Sequence, residues 1–476
     1  MKNRTINAFL SLITLFILTS CLFNEEVEIY TTEATTNDWI YKTMKANYLW
    51  LDDIQSVDSY DLYAQAETFY NSLLSDQEKK VRNNKTYWYS YMEQIEPSPT
   101  KTRLFEIDGR SYGLELVLYA IQGTENYYAR ILYVVPGSPA HQAGVRRGMW
   151  VLKVDNVAIN ATNYNRLLAG NGASIGIYEG DYSENIQIQK ELSLSAAVVI
   201  KDSPILKDTL LRFDNRNVAY LCYTHFSTGP DGFSDKSWDQ ELKEVFKRFR
   251  DQNAQELILD LRFNRGGYLT CAHLLASMII PESVFGETFC NVSYHSSRKQ
   301  RNYSLKFDST TKGVQNLNLN RVYILTSGTT ASSSEVVMNG LQANGIMSVI
   351  QIGTTTEGKN VGSEEFVNKE AGWSLHPIVA SITNKDEFGD YKEGFTPIGD
   401  YYYDELSRKK TLGELGTAED ALISRALYDM GLISELPSAI TDSRSSNQTR
   451  SSDMPFTPSY SSLSLKLTAS GILLNQ

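Results

Sequence analysis

The chain has 476 residues, a length that accommodates two or three domains. Its hydrophobic content of 42% and charged content of 21% are those of a globular protein with a sizeable core. The net charge of −11, without any dense run of lysine and arginine, argues against nucleic-acid binding.

The first residues have the pattern of an export signal. A basic start, Met1 to Arg4, precedes an apolar run from Phe9 to Leu18 that is too short for a comfortable membrane span. Leu18-Thr19-Ser20-Cys21 then resembles the bacterial lipobox, in which the cysteine is lipidated and becomes the new N-terminus. We therefore expect residues 1–21 to be a lipoprotein signal, and Cys21 to hold the chain in a bacterial cell envelope, on its periplasmic or cell-surface side, by lipid alone. The alternative is a plain secretory signal with an incidental cysteine.

Three cysteines remain beyond the signal: Cys222, Cys271 and Cys290. An odd number cannot pair completely, and their spacings match no metal site. We expect them to be buried as small apolar residues. One disulfide is possible, but its pairing is not predictable from sequence.

Residues 22–100 are predicted to form a helical cap. Aromatic and apolar side chains recur near helical spacing from Trp39 to Trp50, and Ala64 to Leu74 repeats that character. Such stripes are more often a packed helix face than a ligand site.

The pattern changes over residues 101–197 to short strands separated by glycine turns. Leu114–Leu118 and Ala129–Val135 have strand-like composition, and Gly148–Asn156 is predicted to be a strand followed by a turn. Ala140–Gly144 is predicted to be a short helix. This stretch is expected to be a β-rich domain.

Residues 198–435 alternate predicted strands and helices. This order favours a largely parallel sheet covered by helices. The last residues, 436–476, are rich in Ser, Thr and Asn and are predicted to be a flexible tail. The predicted strands are 218–223, 256–261, 322–325 and 348–352, and the predicted helices include 238–250 and 269–280.

Three polar segments follow predicted strands of the α/β region. Leu259–Gly267 runs from a strand into a double glycine, where backbone N–H groups at a helix start can hold a developing oxyanion. Thr326–Glu335 places hydroxyl groups at the start of a helix, where the dipole favours a nucleophilic oxygen. Gly353–Lys359 is a glycine-flanked loop ending in lysine. Taken alone, each segment has a simpler explanation. The first is an ordinary strand-to-helix turn, the second a set of helix N-caps, and the third a solvated surface lysine.

In this order, the three segments resemble the motifs of the C-terminal processing peptidases, the tail-specific Ser–Lys peptidases of family S41. They read Leu261-Arg262-Phe263-Asn264-Arg265-Gly266-Gly267, Ser332-Ser333-Ser334-Glu335 and Gly358-Lys359. The resemblance implies that Ser332 is the nucleophile and Lys359 the general base. It places Gly266 and Gly267 beside the oxyanion, and it implies no metal and no organic cofactor.

The resemblance covers most of the chain. It identifies residues 101–197 as similar to a PDZ domain and 198–435 as similar to the catalytic domain, in a multidomain α+β and α/β architecture. PDZ domains bind an extended peptide end along a sheet edge, which makes Gly113, Leu114, Glu115 and Leu116 the candidate peptide-binding residues. The alternative is a module that only packs against the catalytic domain.

The sequence departs from the family pattern around the lysine. The usual Phe-Gly-Lys-Gly is Glu357-Gly358-Lys359-Asn360, and the position where some members have Gln or Glu is Ser363. A third catalytic residue is therefore not assigned. A lysine base must be neutral, so a side chain whose ordinary pKa is ~10.4 has to be shifted to about 7–8 by burial. Glu357 is the nearby charge that complicates this expectation.

Two other patterns compete with this site. Gly172–Gly176 matches the G-x-S-x-G pattern of α/β-hydrolases, but it lies in the PDZ-like region and is predicted to be a β-turn. His225 and His273 flank the proposed active region, which keeps a Ser–His enzyme possible, although core or surface histidines explain them better.

The sequence therefore predicts a serine-type endopeptidase acting on envelope proteins or peptides by a Ser–Lys mechanism. The alternative is a non-catalytic lipoprotein that binds peptides. The oligomeric state is not predicted.

Overall fold

The computed structural model describes residues 33–82, 85–95, 110–214, 216–436, 454, 458–461 and 472–474. The predicted export signal and Cys21 lie outside the described residues. None of the described helices is both long and apolar enough to cross a membrane.

The secondary-structure elements are numbered along the chain. The helices are α1 (33–47), α2 (Ala66–Ser72), α3 (Pro139–Gln142), α4 (Ser237–Asp251), α5 (Leu269–Ser277), α6 (Ser333–Leu341) and α7 (Ala421–Asp429). The strands are β1 (Lys80–Arg82), β2 (Lys85–Tyr87), β3 (Tyr91–Gln94), β4 (Leu114–Ala120), β5 (Asn126–Val134), β6 (Trp150–Val154), β7 (Val157–Asn160), β8 (Ala173–Tyr178), β9 (Lys190–Leu194), β10 (Ile205–Phe213), β11 (Arg216–Tyr223), β12 (Ala254–Asp260), β13 (Gly267–Tyr268), β14 (Thr288–Tyr294), β15 (Tyr303–Lys306), β16 (Arg321–Thr326), β17 (Ser348–Gly353), β18 (Val361–Ser363), β19 (Phe366–Asn368), β20 (Trp373–His376), β21 (Ile378–Thr383), β22 (Pro458–Ser461) and β23 (Ile472–Leu473).

The chain divides into two compact units. Among the described residues, the first unit comprises residues 33–82, 85–95, 294–299 and 363–380. The second comprises residues 110–214, 216–293, 300–362, 381–436, 454, 458–461 and 472–474.

The first unit contains the predicted N-terminal helical region. Helices α1 and α2 confirm that region. Met44 and Tyr48 of the predicted stripe are fully buried, whereas Trp39, Tyr41 and Trp50 are only partly buried. Strands β3, β20 and β19 form a small antiparallel sheet. Residues 363–380, which the sequence placed in the catalytic region, belong to this unit.

An antiparallel sheet of order β22-β4-β5-β7-β6-β8-β9 forms the PDZ-like domain of the second unit. Strands β4, β5 and β6 and the short helix α3 confirm the sequence predictions. Ser174 of the G-x-S-x-G pattern lies within β8 rather than in the predicted β-turn, and its Oγ donates to Glu191 at 3.1 Å. It therefore does not lie on a strand-to-helix elbow.

The catalytic sheet has the order β10-β11-β12-β16-β17. Strands β11, β12, β16 and β17 are mutually parallel, while β10 is antiparallel to β11. Strands β11, β12 and β16 are largely buried and apolar, which is typical of strands covered on both faces. Because the strands are parallel, their carboxyl ends meet at one edge. The three polar segments follow β12, β16 and β17, so the fold brings them together.

A second sheet lies in the catalytic region, with the order β13-β23-β18-β21-β14-β15. Strand β13 starts at Gly267, and β18 starts two residues after Lys359. Strand β23 comes from the predicted flexible tail, as does β22 of the PDZ-like sheet.

Candidate active site

Ser332 lies at the N-terminus of α6 in an unusual backbone conformation. Its φ of 63° and ψ of −119° are sterically unfavourable for a residue with a Cβ, and such strain is concentrated at functional sites. The residue is fully buried, and its Oγ has no hydrogen-bond partner among the described residues. The hydroxyl therefore lies at the positive end of a helix, where the dipole favours negative charge on its oxygen.

The carboxylate of Glu335 joins the serine segment to the lysine segment. It accepts the backbone N–H of Ser332 at 2.8 Å, of Lys359 at 2.9 Å and of Gly358 at 2.7 Å, and the hydroxyl of Thr356 at 2.6 Å. Burial raises the pKa of Glu335 to about 7, while these four hydrogen bonds oppose the shift. The Glu335 side chain can accept all four hydrogen bonds only when it is ionised, because a protonated carboxyl group uses one oxygen as a donor.

The sequence alone does not indicate the full role of Glu335. The Ser-x-x-Glu spacing is the signature of a capping box, in which the third residue of a helix bonds back to the cap. That spacing indicates the hydrogen bond to Ser332. The spacing does not indicate the hydrogen bonds to Gly358 and Lys359, which lie 23 and 24 residues further along the chain.

Lys359 is buried, with 2% of its surface exposed. The loop before it depends on Gly358, whose φ is +92°; a Cβ there would lie 2.0 Å from the carbonyl oxygen of Lys392. Only glycine permits this close approach. The Lys359 backbone is thus fixed both by Gly358 and by the Glu335 carboxylate.

Gly266 packs directly against Ser332. A Cβ at Gly266 would lie 2.6 Å from Ser332 Cβ, 2.9 Å from its Oγ and 3.1 Å from the Ser333 nitrogen. The Gly266 N–H itself donates to Asn264 Oδ1 at 2.8 Å. The Ser333 N–H, at the first position of α6, has no acceptor within the helix. The missing side chain of Gly266 therefore leaves space beside both the hydroxyl and this amide.

Gly267 is equally restricted. Its φ is +133°, and a Cβ would lie 2.1 Å from the carbonyl oxygen of Phe226. Its own carbonyl oxygen accepts the Ser333 hydroxyl at 2.7 Å. The double glycine thus lets β13 pass close to the start of α6.

The two histidines are engaged elsewhere. His225 is buried, with its ring nitrogens 3.0 Å from Ser227 Oγ and 3.0 Å from the carbonyl oxygen of Asp202. His273 Nε2 lies 2.6 Å from the carbonyl oxygen of Lys306. Neither is hydrogen-bonded to Ser332, so the described geometry does not form a Ser–His pair. The three described cysteines are buried and free.

The candidate peptide-binding residues lie at the start of β4. Gly113 has a φ of +77°, and Leu114, Glu115 and Leu116 are buried within the strand. Strand β5 pairs with one edge of β4, and β22 pairs antiparallel with the other edge over residues 117–119. Just beyond the candidate residues, this edge of β4 is thus occupied by β22, another segment of the same chain.

A buried ionic cluster connects the PDZ-like domain to the catalytic motif. Arg147, from the turn before β6, lies 2.7 Å from Glu405 and 3.3 Å from Asp420. Arg262 of the double-glycine motif contacts the same two carboxylates at 2.9 Å each. Burial by itself would raise the pKa of Glu405, but Arg147 and Arg262 outweigh it and lower this pKa to about 2.

One group of possible metal ligands occurs among the described residues of the first unit. The side-chain ligand atoms of Glu93, Glu365 and His376 lie within 4.8 Å of one another. His376 Nε2 is 3.3 Å from Glu93, and its ring stacks on Tyr91 at 4.3 Å. The histidine–carboxylate contacts account for this cluster without a metal ion.

Comparison with known families accounts for all three regions. Residues 35–91 match the peptidase S41 N-terminal domain, residues 130–175 match a PDZ domain, and residues 217–397 match peptidase family S41. The match to the PDZ model agrees with the predicted β-rich domain.

Individual relatives give the same result. The chain is 24% identical to the carboxy-terminal processing protease CtpA of Bacillus subtilis (strain 168) over 69% of its length, and 23% identical to a carboxyl-terminal-processing protease of Picosynechococcus over 48%. It spans 66% and 50% of the lengths of these two curated relatives. It also resembles the crystal structure of a putative S41 protease from Bacteroides fragilis, with a TM-score of 0.72 and 29% identity over 83% of this chain and 98% of that one. The predicted catalytic region, residues 217–397, is therefore similar to peptidase family S41.

Proposed function

We propose that the chain is a serine endopeptidase with Ser332 as nucleophile and Lys359 as general base, acting on protein or peptide substrates. The observation that carries the proposal is the Glu335 carboxylate, which binds the backbone amides of both residues. Further support comes from the strained backbone of Ser332 and from its hydroxyl, which has no hydrogen-bond partner in the described part of the chain.

The proposed reaction is acyl transfer in two steps. The neutral amine of Lys359 takes the proton from Ser332 Oγ as this oxygen attacks the scissile carbonyl carbon. Lys359 then protonates the leaving amine, which leaves an ester on Ser332. Water hydrolyses this ester, again with Lys359 as the base. The backbone beside Gly266 and Gly267, with the Ser333 amide, is proposed to stabilise the oxyanion of each tetrahedral intermediate.

The PDZ-like domain is proposed to bind substrate or to regulate its access to the active site. Gly113, Leu114, Glu115 and Leu116 are the candidate contacts, because PDZ domains bind peptides by strand addition. The chain is proposed to act in a bacterial cell envelope, lipid-anchored through Cys21. The support for this location is the N-terminal sequence pattern.

The test uses the mature protein, starting after Cys21, with casein as an unstructured substrate and a chelator present. Wild type, Ser332→Ala and Lys359→Ala are compared with two exposed controls, Ser234→Ala and Lys369→Ala. We expect wild type and both controls to cleave casein, and both active-site variants to be inactive.

Two results would contradict the proposal. Cleavage that persists in Ser332→Ala and Lys359→Ala would place the chemistry elsewhere. If folded wild-type protein bound casein without cleaving it, the peptide-binding alternative would be favoured.

A further inference from the structure

The C-terminal strand of the chain lies between two strands that border the catalytic residues. Strand β23 is parallel to β13, with Ile472 opposite Gly267 and Leu473 opposite Tyr268. On its other side it neighbours β18. In the described part of the chain, β13 and β18 are joined through β23. Without this strand, the sheet would have a gap one strand wide.

The contacts of β23 are apolar and specific. Ile472 is fully buried and Leu474 is 5% exposed, whereas Leu473 is only partly buried. A Cβ at Gly362 of β18 would lie 3.0–3.2 Å from three side-chain carbons of Leu474. The gap thus accepts an extended segment with aliphatic side chains at alternating positions, as expected for a strand-addition site.

This gap is adjacent to the proposed chemistry. Its β13 border follows Gly266, which packs on Ser332, and its β18 border follows Lys359 in the chain. Ser332 has no exposed surface, so no peptide reaches its hydroxyl unless some covering segment moves. Strand β23 runs beside Gly267 of the double glycine, which also pairs with Phe226.

We propose that the gap between β13 and β18 is the site where an extended, aliphatic peptide strand binds, and that the chain's own residues Ile472–Leu474 occupy it in cis. The inference rests on the proposed function, since it takes the bound strand to be substrate-like. Substrate and the C-terminal segment therefore compete for one site.

Tethering makes this competition effective. The same C-terminal region also supplies β22, which pairs with β4 of the PDZ-like domain. A segment attached to the protein has an effective concentration on the order of mM. If the cis strand occupies the gap for about 90% of the time, the apparent affinity for a free peptide falls about tenfold.

The test measures peptide binding to catalytically inactive protein. The probe is a fluorescent peptide with the sequence of residues 471–476, Gly-Ile-Leu-Leu-Asn-Gln. It is titrated against full-length Ser332→Ala and against Ser332→Ala that also carries Ile472→Asp and Leu474→Asp. A chain ending at residue 470 provides a second way to vacate the site, and thermal unfolding verifies that each variant is folded. A peptide with Asp in place of its Ile and second Leu is the probe control.

We expect the probe to bind the vacated chains about tenfold or more tightly than the full-length chain, and the Asp-containing probe not to bind. Equal affinity for occupied and vacated chains, or equal binding of both probes, would overturn the inference. The result is independent of cleavage. If the probe binds the vacated chains more tightly but wild-type protein cleaves no casein, the peptide site stands and the proposed function does not. If wild-type protein cleaves casein but probe affinity is the same for all chains, the proposed function stands and the peptide site does not.

Discussion

The backbone amides of Ser332 and Lys359 donate to the same oxygen of Glu335, at 2.8 and 2.9 Å. These residues follow different strands of the parallel sheet, and the carboxylate fixes one relative to the other. Glu335 is thus a positioning residue for the proposed pair. Misplacing reacting groups by about 1 Å can cost about 10²-fold in rate.

Glu335→Gln is expected to lower kcat by about 10²-fold with little change in KM. The amide nitrogen that replaces one carboxylate oxygen cannot accept N–H donors, so buried donors lose their partner at about 1–3 kcal/mol each. Glu335→Asp keeps the charge and should recover part of kcat. Steady-state kinetics on a peptide substrate checks this. Equal loss in Asp and Gln variants would indicate a structural role only.

Because the pKa of Glu335 is raised, stability and activity are expected to change in opposite directions as pH rises. The pKa is about 7 in the folded chain and has an ordinary value of 4.5. Between these values the folded chain binds more protons than the unfolded chain, so the free energy of unfolding falls as pH rises through this window, by up to about 3 kcal/mol. Activity should rise over the same window, because only the ionised carboxylate accepts all four donors.

Urea unfolding and kcat/KM at about pH 5.5 and about pH 8 check this prediction. In Glu335→Gln the stability difference between the two pH values should shrink, because the titrating group is gone. An unchanged difference in that variant would assign the pH dependence to other groups.

Gly266→Ala is expected to reduce kcat by about 10²-fold or more. The new methyl group would overlap Ser332 Oγ at 2.9 Å and the Ser333 nitrogen at 3.1 Å, which fills the space proposed for the oxyanion. Gly313→Ala is the matched control, because Gly313 also has a positive φ but has nothing within 4 Å of a new Cβ. Comparable losses of kcat in both variants would refute the proposed role of Gly266.

Arg147→Ala is expected to destabilise the protein by about 3–5 kcal/mol, because it leaves the Glu405 and Asp420 carboxylates buried without one of their cations. Arg146→Ala, at an exposed neighbouring position, is expected to change stability little. Urea denaturation of both variants measures the difference. Equal stability of the two would show that the cluster does not hold the PDZ-like domain to the catalytic sheet.

Local sequence patterns predicted most of the catalytic fold. The apolar run 218–223 lies in β11, and the amphipathic stretch 238–250 lies in α4, because each pattern reports burial over its own residues. The short strands β22 and β23 were not predicted. Strands of two to four residues carry almost no periodicity, and their partners lie hundreds of residues away. The pairing of β20 with β3 joins equally distant parts of the chain, and no local pattern indicates it.

The candidate site was predictable only in part. The order of three motifs predicted Ser332 and Lys359 as site residues. These motifs lie close together because each follows a strand of the same parallel sheet. The role of Glu335 depends on hydrogen bonds to residues 21–24 positions further along the chain, which no local pattern encodes. The assignment of Ser332 and Lys359 as catalytic residues stays a prediction until it is measured.

The most direct test is to trap the acyl-enzyme. The mature protein is mixed with an activated peptide ester, quenched with acid during turnover and digested for mass spectrometry. The Ser–Lys mechanism predicts an acyl adduct on the peptide that contains Ser332. This adduct should be absent from Ser332→Ala and strongly reduced in Lys359→Ala. An adduct on another residue, or turnover that continues in Ser332→Ala, would contradict the account.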